Sequence, residues 1–180
     1  MKTYGDLVGD GGSDIVGQVA QLGEKLRFRL DKIKYKIALM SGKGGVGKSS
    51  ITANIASCLA DRGNRVGILD ADLNGPSIAH LLGVGNDVKL DMKEDGLEPG
   101  IGYQGIRIMS MDMLLKSADT PVMWTDEDDA TASWVSIMES TATRELMADT
   151  NWGELDYLLI DMPPGSDRID NIRSLIPELA

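Results

Sequence analysis

The stretch that most constrains this chain is Ile37 to Asn54, IALMSGKGGVGKSSITAN. An apolar run of strand character ends at Ser41, a glycine-rich turn follows, and helix-forming residues begin near Lys48. Gly42, Gly47, Lys48 and Ser49 fill the phosphate-loop pattern G-x-x-x-x-G-K-[ST], and the strand–loop–helix context that the pattern requires is present. Glycines let the backbone wrap closely round a polyphosphate with its N–H groups pointing inward. The N-terminus of the next helix adds partial positive charge where phosphate would sit. The expected ATP contacts are therefore Gly42, Lys43, Gly44, Gly45, Val46, Gly47, Lys48, Ser49 and Ser50. Lys48 is expected to reach the β- and γ-phosphates and Ser49 to ligate Mg²⁺. The fold expected around such a loop is α/β. It has a mainly parallel sheet with helices on both faces and the loop at the strand C-termini.

Two further segments carry carboxylates to the same end of that sheet. Val66 to Leu69 is a continuous apolar run, as a strand covered on both faces requires, and Asp70-Ala71-Asp72 follows it. Asp72 is placed to orient an attacking water and to serve the Mg²⁺ shell. The simpler alternative is an Asx turn before a short helix capped by Ser77 and stopped by Gly83. Leu158-Leu159-Ile160-Asp161 is an apolar strand ending in an aspartate, the Walker B pattern, so Asp161 is expected to hold Mg²⁺ through its water shell. Pro163 and Pro164 stiffen the turn that follows, and the Gly165 amide is placed to sense a γ-phosphate.

The 180 residues suffice for one domain with a real core. A net charge of −10 argues against a broad nucleic-acid-binding surface. One cysteine, Cys58, permits no intrachain disulfide, which fits a reducing cytosol and a cytoplasmic location. No apolar run is long enough to span a bilayer, so no integral membrane segment is expected. Residues 1–33 divide into a mobile glycine- and aspartate-rich start and a flanking helix. In that helix Ile15, Val19, Leu22, Leu26, Leu30 and Ile33 recur at helical spacing. The basic residues from Lys25 to Lys36 would suit a membrane surface, but Glu24 and Asp31 interrupt them and favour a helix packed on the domain.

Residues 34–180 form the expected P-loop ATPase domain, with about four strands visible in the pattern. Its first strand is Tyr35 to Met40. In the helix that follows, Ile51, Ile55 and Leu59 are expected to be buried, and Cys58 to be a small core residue. His80, the only histidine, has no visible partner ligand and is expected to be structural. Val84 to Gly105 is expected as loop or hairpin, and the acidic run Asp126 to Asp129 as a solvated helix start. A helix over about Ala130 to Ala148 would bury Val135, Met138, Ala142 and Leu146, and another over Ser166 to Leu179 would present Ile169, Ile172 and Ile176.

Three segments together, SGKGGVGKSS, DADLNGPSIAHLLG and WGELDYLLIDMPPG, closely resemble the Mrp/ApbC/Nbp group of ATP-binding iron–sulfur cluster carriers. These belong to the deviant Walker A class that also holds ParA and MinD. The resemblance implies slow Mg-dependent ATP hydrolysis and a homodimer closed across the nucleotide, with Lys43 reaching the partner's phosphates. It also implies delivery of iron–sulfur clusters to apoprotein recipients. Other readings are a MinD/ParA-like regulator, against which D-L-N-G-P-S argues, and a non-catalytic nucleotide-binding remnant. The departures are specific. The family carries a C-P-x-C pair and further parallel strands later in the chain, and this sequence shows neither, so no iron–sulfur ligands are expected here. The resemblance implies that one neighbour of the first strand is the Walker B strand and that the other lies beyond residue 180. One edge of that first strand is then expected to be unpaired, leaving a marginal, dimeric or aggregation-prone chain.

Overall fold

The structure is a computed structural model and describes residues 15–72, 75–84, 92–93, 95–110, 113, 132–165, 169–176 and 179. Its elements in chain order are α1 (Ile15–Leu30), β1 (Ile33–Leu39), α2 (Lys48–Asp61), β2 (Val66–Asp70), α3 (Ile78–Leu81), β3 (Met92–Lys93), β4 (Gly96–Leu97), β5 (Gly100–Ile101), β6 (Arg107–Ser110), α4 (Ala132–Asp149), β7 (Leu155–Asp161) and α5 (Ile169–Leu175). The acidic run Asp126 to Asp129, the side chains of Ile15, Val19, Val135 and Met138, and the segment Met1 to Ser13 lie outside the described residues.

The continuous apolar runs become parallel strands because both of their faces are covered. The sheet order is β1-β7-β2-β6-β5, with β1, β7, β2 and β6 parallel and β5 antiparallel to β6. Side chains alternate across it. Leu69, Met109, Leu158 and Ile160 pack with α1, α4 and α5, whereas Ile68, Ile108 and Leu159 pack with α2 and α3. The register levels the strand ends: Leu39 and Asp70 both lie opposite Asp161, and Asp70 also lies opposite Ser110. β3 and β4 form the expected small hairpin.

Helix α1 is docked on the domain and ends at Leu30, so Ile33, expected on its apolar stripe, instead opens β1, where it pairs with Leu155. Leu26 and Leu30 are buried against α4, Lys25 Nζ lies 2.5 Å from Asp149, and the buried Arg29 donates to Asn151 Oδ1 at 2.9 Å and to the Asp95 carbonyl. Trp152, fully buried after α4, donates from Nε1 to the Met147 carbonyl at 3.1 Å. On α4, Ala142 and Leu146 are inside as expected. On α5, Ile172 is buried and Ile169 is exposed, with Ile176 buried just beyond the helix. No helix among the described residues is long and apolar enough to cross a membrane.

Helix α2 departs from its sequence pattern. Its buried residues are Thr52, Ala53 and Ala56, while Ile51 and Ile55 face outward and Cys58 is exposed. Bonds from Lys48, Ser49 and Thr52 to β7 set the rotation of the helix. They press its small residues onto the sheet, where close approach is possible, and turn the isoleucines away. β1 closes one end of the sheet, and its outer edge pairs with no strand among the described residues.

Trp152→Ala should cost about 3–5 kcal/mol, the usual loss for a buried aromatic. Urea unfolding followed by circular dichroism measures it, and a loss under about 1 kcal/mol would show that Trp152 is not a core anchor.

Candidate nucleotide-binding site

Gly42 to Gly47 span from β1 to the start of α2, all six exposed. Gly45 at φ 74° and Gly47 at φ 86° sit in the left-handed region where a side chain is strained. Gly47 occupies the cap position of α2, and the first helical bond runs from Ile51 N–H to the Gly47 carbonyl at 2.9 Å. Apart from the turn that Gly44 and Gly45 form, the N–H groups of Gly44 to Ser50 have no backbone acceptor among the described residues. The loop and the first turn of α2 thus present a set of free donors at the positive end of a helix dipole.

Beneath this loop lies Asp161, with no exposed surface. Lys48 Nζ is 2.7 Å from its Oδ2, Ser49 donates to the same oxygen at 2.5 Å, and Thr52 Oγ1 is 2.8 Å from Oδ1. Thr52 Oγ1 also lies 3.0 Å from the Lys48 carbonyl, so its one proton is shared between two acceptors. On the neighbouring strand Asp70 is buried too. Its Oδ2 accepts from the N–H groups of Ser77 at 2.9 Å and Ile78 at 3.0 Å, and its Oδ1 from Asp72 N–H at 3.2 Å. Burial pushes the Asp70 carboxyl up to about 6. The backbone donors oppose that rise, and the charge on Asp161 adds to it. Ser77 holds the cap position of α3 but makes no side-chain cap bond; Asp70 supplies that acceptor instead, from the end of β2.

The remaining expected site residues are distributed as follows. Asp72 is half-buried, and its Oδ1 accepts from Gly75 N–H at 3.2 Å, which is an Asx-type turn. Lys43 is exposed, with its carbonyl accepting from Ser41 Oγ at 3.0 Å. Val46 is exposed as well. Gly165, at φ 121°, donates its N–H to the Ser41 carbonyl at 3.0 Å, which ties the turn after β7 to the entry of the loop. His80 lies exposed on α3.

The oxygen pair Ser49 Oγ and Asp161 Oδ2 fits a hard divalent cation that takes few protein ligands and completes its shell with water and phosphate. No cluster of three or more His, Cys, Asp or Glu side chains that could cage a metal occurs among the described residues. Pattern reading did not single out Thr52 or give Asp70 a role of its own. The available signals were a polar β-branched residue one turn after Lys48 and an aspartate ending β2 just as Asp161 ends β7.

A family model described as ParA, NUBPL iron-transfer P-loop NTPase, matches residues 32–170. The chain belongs to this family. It is 42% identical over 161 residues to the iron–sulfur cluster carrier protein of Saccharolobus solfataricus, covering 89% of this chain and 51% of that protein. It is 43% identical over 157 residues to the protein of the same name from Methanococcus maripaludis, covering 87% and 50%. Among solved structures it resembles the nucleotide-binding protein of Archaeoglobus fulgidus in complex with ADP, with Co found by PIXE. The TM-score is 0.68 and the identity 41%, over 85% of this chain and 54% of that one. The chain thus spans about half the length of the curated relatives it matches.

Asp70 also predicts a pH dependence. Its folded pKa, raised to about 6, lies above the unfolded value. Between the two the folded state binds the extra proton. Its contribution to stability is therefore full below about pH 4 and lost as pH rises through about 6. Asp70→Asn should flatten that fall relative to the parent chain when urea midpoints are measured from pH 4 to 7.5. Parallel pH profiles for the two proteins would remove Asp70 as the titrating group.

Proposed function

We propose that this chain binds Mg-ATP and hydrolyses it slowly, as the nucleotide-binding part of an iron–sulfur cluster carrier that works as a homodimer. The observation that carries this reading is the run of N–H groups from Gly44 to Ser50, which beyond the turn at Gly44 and Gly45 have no backbone acceptor among the described residues, above the Lys48–Ser49–Asp161 cluster. Residues 34–180 would be the ATPase domain, with residues 1–33 flanking it. The loop amides would take the phosphate oxygens, and Lys48 would turn from Asp161 toward the β- and γ-phosphates. Ser49 and Asp161 would hold Mg²⁺, which supplies charge neutralisation for phosphoryl transfer. Asp72 would leave its turn with Gly75 to orient the attacking water. The Gly165 amide would give up the Ser41 carbonyl to meet a γ-phosphate, and the exposed Lys43 would reach across to a partner's nucleotide.

The cluster would be cargo. The sequence has one cysteine, so even a dimer brings two thiolates where a [4Fe–4S] cluster of the usual kind needs four. The missing ligands, and the apoprotein that receives the cluster, would lie outside this chain.

Lys48→Ala should weaken binding of a fluorescent ATP analogue about tenfold or more, the loss of one charge-assisted contact of roughly 1.5–3 kcal/mol. Circular dichroism of the variant checks that it is folded, and equal affinities in a folded variant would sink the phosphate role. Asp72→Asn should bind Mg-ATP nearly as well as the parent and turn it over more slowly; an unchanged rate of phosphate release would remove Asp72 from the chemistry. Anaerobic reconstitution with iron and sulfide should leave no stoichiometric cluster on the desalted chain, and a stable one would contradict the cargo reading.

A further inference from the structure

Three adjacent parallel strands, β7, β2 and β6, end level with one another at Asp161, Asp70 and Ser110. Leu159, Ile68 and Ile108 face α2 and α3, so two residues later Asp161, Asp70 and Ser110 face the same way. The bonds from Asp161 to α2 and from Asp70 to the start of α3 agree with that placement. The strand ends thus form a buried polar row of two carboxylates and a hydroxyl. Both carboxylates are met by donors. Ser110 has no exposed surface, and its Oγ has no hydrogen-bond partner among the described residues. A buried hydroxyl left unmet is destabilising, and few native side chains are left so.

Asp70 lies directly opposite Ser110 in register. Two N–H groups hold its Oδ2, whereas among the described residues its Oδ1 accepts from the Asp72 N–H alone, at 3.2 Å, the longest of the three bonds. Neighbouring strands lie about 4.8 Å apart, so rotation about the Cα–Cβ bond of Ser110 turns its Oγ toward that oxygen. The Asp72 N–H belongs to the segment that carries the Asp72 carboxylate and closes its turn on Gly75. When this segment lifts, Oδ1 loses its donor inside the protein, and a bare buried acceptor opposes the movement. We propose that Ser110 is a positioning residue whose hydroxyl takes Asp70 Oδ1 as the Asp72 N–H leaves. The Asp72 segment then opens while Asp70 keeps its hold on the Ser77 and Ile78 N–H groups. The consequence for turnover rests on the reading of Asp72 as the residue that orients the attacking water; the exchange of partners at Asp70 does not.

Amide hydrogen exchange of the free chain, followed by NMR at one pH, reads the opening at Asp72 without nucleotide. Ser110→Ala should slow exchange of the Asp72 amide about tenfold, because the open segment loses its substitute donor. Its urea midpoint should be equal to the parent's or higher, because an unmet hydroxyl has gone. A packing role for Ser110 has the opposite sign, with faster exchange and a lower midpoint. Ser110→Thr and Ser110→Val share a shape and differ in the hydroxyl, so the Asp72 amide should exchange about tenfold faster in the threonine variant. Equal rates in that pair overturn the proposal, as does unchanged or faster exchange in Ser110→Ala. Turnover is the second readout: kcat for ATP should fall about tenfold in Ser110→Ala with ATP affinity unchanged. Slowed exchange with unchanged kcat supports the exchange of partners at Asp70 and counts against Asp72 as the water-orienting residue. A parent chain without ATPase activity overturns the functional reading alone, since the exchange test needs no nucleotide.

Discussion

A carboxylate with no exposed surface costs several kcal/mol unless its charge is met, and the arrangement around Asp161 follows from meeting it. The residue ends β7, the strand that lies between β1 and β2. Lys48 neutralises it, and Ser49 and Thr52 complete its hydrogen bonding. All three come from the first turns of α2, so the helix is fixed in rotation and height above the sheet. The phosphate loop inherits that fixation because it is the only connection from β1 into α2. Preorganisation of this kind is what a phosphate site needs, since donors already in place lose little entropy when a ligand arrives.

The second buried carboxylate does a different task by similar means. Asp70 lies opposite Asp161 in register and spends its oxygens on backbone N–H groups after β2. It thereby holds the chain that runs past Asp72 into α3. Its ionisation is opposed by burial and by its neighbour's charge, so the pair divides its roles. One carboxylate is compensated by a cation and the other by main-chain dipoles.

Much of this was legible in the sequence because it is local. Glycine spacing, apolar runs ended by aspartates, and the short hairpin between Val84 and Gly105 depend on neighbours within a few residues. The missed features depend on distant ones. The apolar period of α2 nominated Ile51, Ile55 and Leu59 as its inner face, yet bonds to Asp161 turned Thr52, Ala53 and Ala56 inward instead. Cys58 came out with the isoleucines for the same reason. Ser77 has the residue type of a helix cap, but a carboxylate from the preceding strand reaches those N–H groups first. Amphipathic spacing reports which face is apolar. It does not report which face is pinned.

The strand order has a consequence for how the chain acquires its shape. β1 and β2 follow each other in sequence, but neither pairs with the other; Ile33 finds Leu155 and Val66 finds Tyr157. Parallel pairing across such spans carries a high contact order and a large loop-closure cost before any ladder forms. During synthesis the phosphate loop and its helix would leave the ribosome long before the strand that anchors them exists. Until then Lys48 has no Asp161 to meet, and apolar segments such as Val66 to Leu69 stand without their central neighbour. Folding of this chain is therefore a late event, set by the arrival of β7, and the interval before it is when association with other chains is hardest to avoid.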